Sequence, residues 1–73
     1  MAAELWHTTD NGDYMFYVPY ENKQAIRGIA RYRDWKVAAT YTKKGGKIIA
    51  IQYRVPHNSV AKARRIVKRI NFA

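Results

Sequence analysis

Apolar and polar positions alternate along four short stretches of this chain and recur at helical spacing along two others. Glu4–Thr9 reads as a short strand ending at the turn signal Asp10-Asn11-Gly12-Asp13, where Asn-Gly tolerates the positive φ of a tight hairpin. Tyr14–Val18 follows, with Tyr14, Phe16 and Val18 on one face and Met15 and Tyr17 on the other; Pro19 ends it by removing a ladder donor. Ala25, Ile26, Ile29 and Ala30 then mark the buried stripe of a helix over about 22–33, with Asn22 as its N-cap and Arg27 and Arg31 on its outer face. Gly28 weakens that helix by roughly 1 kcal/mol relative to alanine, which calls for close packing or simple tolerance. Trp35 is expected to close over its end as a core residue.

The second half repeats the plan. Trp35 to Tyr41 returns to strand, with Val37, Ala39 and Tyr41 on one face and Ala38, Thr40 and Thr42 on the other. Lys43-Lys44-Gly45-Gly46-Lys47 is a turn, and Ile48–Val55 runs back with Ile49, Ile51, Tyr53 and Val55 inward before Pro56 closes it. Ser59 caps a final helix whose stripe is Val60, Ala63, Val67 and Ile70, with Ile66 beside it and Phe72 tucking back beyond. Shifted by thirty-seven positions, Val18-Pro19 falls on Val55-Pro56, Asn22 on Ser59 and Trp35 on Phe72. Two strand–strand–helix halves, about 4–35 and 37–72, therefore suggest an internal pseudo-twofold repeat. The expected fold is one α+β domain, ββαββα: a four-stranded, largely antiparallel sheet with both helices on one face.

Size sharpens this. Seventy-three residues without a cysteine make a marginal core, stabilised by aromatic and β-branched packing or by a second chain. No stretch is long and apolar enough to span a membrane, and the N-terminus lacks the basic start and apolar run of a signal peptide. A cytoplasmic protein with no membrane partner is expected.

Charge changes the picture most. All five acids lie in residues 1–34 against four cations, a balance of 4 − 5 = −1. The remaining residues hold ten cations and no acid, which completes the net charge of +9. Such asymmetry points to a polyanion. The cationic candidates are Lys43, Lys44 and Lys47 in the turn, Arg54 on the last strand, and Lys62, Arg64, Arg65, Lys68 and Arg69 on the last helix. No carboxylate at helical spacing relieves the like charges of that helix, so an external anion is their natural partner. These cations are expected to contact phosphates, giving affinity without sequence information.

The sheet face away from the helices supplies a second candidate surface. Tyr17, Thr40, Thr42 and Gln52 are expected there, either against bases or in a homodimer or other protein contact. Enzyme chemistry has little to stand on. Gly45-Gly46 lacks the spacing of a phosphate loop, no His, Cys and carboxylate set has metal-ligand spacing, and His7 and His57 are fifty residues apart. The sequence thus predicts a non-catalytic binder of nucleic acid, DNA in preference to RNA and duplex with low specificity, needing neither cofactor nor metal. The alternative is a small interaction module or inhibitor docking on an acidic surface of a nucleic-acid-handling protein.

Overall fold

The computed structural model describes residues 2–8 and 12–72. Its elements follow in the order β1 (Glu4–His7), β2 (Tyr14–Pro19), α1 (Lys23–Ile29), β3 (Lys36–Thr42), β4 (Ile48–Val55) and α2 (Val60–Asn71), with a single 3-10 turn at His57–Ser59 before α2. The strands form one antiparallel sheet in the order β1-β2-β4-β3. The chain is therefore α+β, ββαββα.

The centre of the sheet is made by strands from different halves. β2 pairs with β4 so that Tyr14 faces Val55, Phe16 faces Tyr53 and Val18 faces Ile51. Directly opposed residues share a face, and these six form the floor on which both helices pack. Phe16, Val18, Tyr53 and Val55 are buried there with Ile29 of α1, Ala63 of α2, Trp35 and Ala3. Leu5, Tyr14, Ile26, Tyr32, Ile51, Ile66, Val67 and Ile70 close the edges of the same cluster. Trp35 meets Phe16 edge-on at 6.2 Å and Tyr32 at 4.8 Å between ring centroids. Its buried indole Nε1 has no hydrogen-bond partner among the described residues, a cost of about 1–3 kcal/mol that the packing of the ring must outweigh.

Several expectations need correction. The first helix ends at Ile29, four residues early: Arg31 and Tyr32 donate to the carbonyls three residues back, Gly28 and Ile29. That tighter turn swings Tyr32 and Trp35 onto the core. Neither Asn22 nor Ser59 caps with its side chain; the Asn22 Nδ2 group donates instead to the Pro19 carbonyl at 3.2 Å. Phe72 does not tuck back but is 82 % exposed. The hairpin turn at Asp10 and Asn11 lies outside the described residues, while Gly12 beside it has φ 72°.

Strand β3 departs furthest. Val37 faces Tyr53 while Ala39 already faces Gln52, so Ala38 is an extra residue on β3. That bulge reverses the alternation beyond it. Ala39 and Tyr41, expected in the core, lie on the open face, and Thr40 turns to the helix side opposite Ile51. Even there the helices do not cover the strand, since Val37 is 61 % exposed.

The repeat is neither required nor excluded by this architecture. Exchanging the halves at the thirty-seven-residue offset maps the β2–β4 register onto itself. However, α1 has seven residues against twelve in α2, β1 four against seven in β3, and Trp35 is buried where Phe72 is exposed.

Asn71 fastens the two chain ends together. Its Oδ1 accepts from the Ala3 N–H at 2.8 Å and its Nδ2 donates to the Ala3 carbonyl at 3.0 Å, as a neighbouring strand would. Asn71→Ala leaves both Ala3 groups unpaired and is expected to cost about 1–3 kcal/mol, read as a lower urea midpoint at unchanged m-value.

The core also sets an alkaline limit. Burial, then the nearby Tyr20, push the Tyr53 phenol above its ordinary value of 10.0. The folded state thus holds this proton more tightly than the unfolded one. The resulting stability is fully present below pH 10 and is lost as pH rises through the folded-state value. Tyr53→Phe is expected to flatten the decline in unfolding free energy above pH 10, measured by urea titration on both proteins.

Candidate nucleic-acid interface

The cations fall into three settings. Lys43, Lys44 and Lys47 sit exposed in the β3–β4 turn. The turn is closed by Lys43 N–H to Lys47 O at 3.0 Å and Gly46 N–H to Lys43 O at 2.9 Å. Gly45 and Gly46 occupy positive φ, 95° and 82°, where a side chain would be strained. On α2, Arg64, Arg65, Lys68 and Arg69 are all exposed, and none forms an ion pair among the described residues.

Two of the cations singled out from sequence are engaged within the chain. Arg54 reaches the Asp13 carboxylate at 3.4 Å, a partly buried pair still open to water and of modest worth. Lys62 lies 4.3 Å from the centroid of the Tyr32 ring, a cation–π contact that ties the start of α2 to the segment after α1.

That contact opens onto a groove between the helices. Asn22, Gln24, Ala25, Gly28 and Tyr32 line one wall and Ile66, Arg69 and Ile70 the other, around a cavity of about 280 Å³. A shallower depression of about 490 Å³ adjoins it, bounded by Gln24, Arg27, Gly28, Arg31 and Arg69. Lys62, Arg65 and Arg69 are three and four residues apart, so Arg65 shares their side of α2. Arg27 near the end of α1 and Arg31 in the turn after it border the shallow depression together with Arg69 of α2. The groove thus has an apolar floor and cations on both rims.

The sequence did not reveal this groove. It puts Arg27 and Arg31 on the outer face of one helix; Arg31 instead lies in the turn beyond α1, and only the presence of α2 alongside brings both arginines to the border of a depression. Gly28 was the available signal: a Cβ there would meet nothing within 4 Å. The glycine therefore serves no close packing within the chain; it lowers the floor of the groove.

The open sheet face is more ordered than its mixed composition suggests. Trp6, Met15, Arg54 and Lys36 make one row across all four strands, and Glu4, Tyr17, Gln52 and Ala39 the next. Tyr17 and Tyr41 meet at 5.5 Å between ring centroids, and the Tyr41 hydroxyl donates to Gln52 Oε1 at 2.8 Å. Ala50, flanked in the register by Pro19 and Tyr41, is fully buried although no helix covers this side. Of the four residues expected here, Tyr17 and Gln52 belong to this cluster. Thr42 lies at its margin opposite Ile48, and Thr40 is on the other face.

His7 packs against Tyr14 at 4.8 Å between ring centroids, the rings tilted by 57°, and His57 begins the 3-10 turn. No group of three or more His, Cys, Asp or Glu among the described residues could hold a metal ion. No described helix is long and apolar enough to cross a membrane. No protein family, curated protein or solved structure matches the chain.

Because Gly28 has ordinary helical φ and open space at its Cβ, Gly28→Ala is expected to stabilise the protein by about 0.5–1 kcal/mol. A urea midpoint that falls would show that the groove wall is tighter than it looks.

Proposed function

We propose that this protein is a small, non-catalytic nucleic-acid-binding domain that holds phosphates through α2 and the β3–β4 turn. The ligand proposed is duplex DNA, bound with little sequence specificity. The observation that supports this is the uncompensated charge: every acid precedes Trp35, and Arg64, Arg65, Lys68 and Arg69 stand exposed without a carboxylate partner among the described residues. Packing α2 on the sheet holds these like charges together at a cost that bound phosphates remove. Arg54 and Lys62, each with a partner inside the chain, add to the field more than to direct contact. Contacts to phosphates supply affinity without sequence information, which is why little specificity is proposed.

Titration of labelled random duplex DNA across a salt series tests the reading. Binding is expected to weaken with a logarithmic slope near −0.9 per phosphate contact, about −4 to −5 for five contacts. Arg65→Glu with Arg69→Glu is expected to weaken every duplex alike by tenfold or more. Nucleic-acid binding that survives this double reversal unchanged would remove α2 from the site. No binding at low salt would end the reading altogether.

A further inference from the structure

We propose that the groove between α1 and α2 seats a single-stranded segment of nucleic acid, one base on the apolar floor and its flanking phosphates on the arginine rims. This rests on the reading of the protein as a nucleic-acid binder and goes beyond it. It names a second site and the form of nucleic acid that the site takes.

Shape carries the first part of the argument. A duplex keeps its bases stacked inside and cannot enter a depression of this size, whereas a single strand can turn one unstacked base into it. The deep part is one cavity of about 280 Å³ over Ala25, Gly28, Ile66 and Ile70, with Tyr32 at its side. That is the scale of one planar ring system. A bound amphipathic helix would instead need a row of pockets for anchors at i, i+3, i+4 and i+7, and α1, at seven residues, offers only two turns of wall.

Charge carries the second part. Arg27 and Arg31 stand on one side and Arg69 on the other, where it borders both the deep cavity and the shallow one; helical spacing puts Arg65 on the same side of α2 as Arg69. Guanidinium groups bridge phosphate oxygens and also lie flat on bases, so one set of side chains serves both parts of a nucleotide. Gly28 completes the fit, since it borders both cavities and its missing Cβ leaves the floor open. Stacking a base in such a site is worth about 1–3 kcal/mol by side-chain truncation, which converts to roughly five- to 150-fold in affinity.

The test compares 5′-labelled dT12 with a 12-base-pair duplex on the full chain, by fluorescence polarisation. The variants are Gly28→Leu, which fills the floor without altering charge, and Arg27→Gln with Arg31→Gln, which sits on exposed positions and leaves the core untouched. Both are expected to weaken dT12 by fivefold or more while duplex affinity stays within about twofold. A 2-aminopurine base within the strand is expected to change its emission on binding the wild type and not Gly28→Leu. If both variants bind dT12 as the wild type does, or lose strand and duplex equally, the groove site is wrong while the phosphate-binding reading stands. If the wild type binds neither ligand but takes up polyglutamate in a Gly28-dependent manner, the groove belongs to an acidic protein and both nucleic-acid readings fail together.

Discussion

The pairing of β2 with β4 is the interaction on which the rest of this molecule depends. These strands come from opposite halves of the chain, and their meeting places Phe16 against Tyr53 and Val18 against Ile51 under both helices. A domain this small has no second core to fall back on. Each half alone would leave an apolar sheet face and an apolar helix stripe in water. Joined, they bury one shared cluster, and the N-terminal segment is then tied to the end of α2 through Asn71.

Burying both stripes on a single sheet face has an electrostatic consequence. It sets α1 and α2 side by side, and the cations flanking each stripe then face one another. Within one helix such like-charge neighbours cost a few tenths of a kcal/mol per pair; across the groove the same repulsion adds to it. Lys62 is partly relieved by the face of Tyr32, whereas Arg27, Arg31, Arg65 and Arg69 form no ion pair among the described residues. The fold therefore concentrates positive potential where the surface is also concave, an arrangement that raises local anion concentration.

The other side of the sheet has a different character. No helix covers it, yet Ala50 is fully buried and Tyr17, Tyr41 and Gln52 form a connected cluster over the central strands. This cluster exists because Ala38 bulges out of β3 and turns Tyr41 away from the core. Without the bulge, Tyr41 would compete with Tyr53 and Trp35 for the helix side, and the open face would carry a threonine in its place.

The sequence by itself determined the order of elements, the strands 14–18 and 48–55 though not their pairing, the inward set Phe16, Val18, Tyr53 and Val55, and the cation-only second half. These follow from strict two-residue or helical alternation and from charge counting, which are local properties of the chain. Tertiary structure alone decided the phase of β3, the early end of α1, and the groove. An extra residue at Ala38 is invisible in composition because alanine suits either face, and only the partner strand fixes which residue is left unpaired. Where α1 ends is set by the pull of Tyr32 and Trp35 onto the core. The groove needed two helices brought together from forty residues apart, so neither Arg27 and Arg31 nor Lys62, Arg65 and Arg69 could disclose it separately.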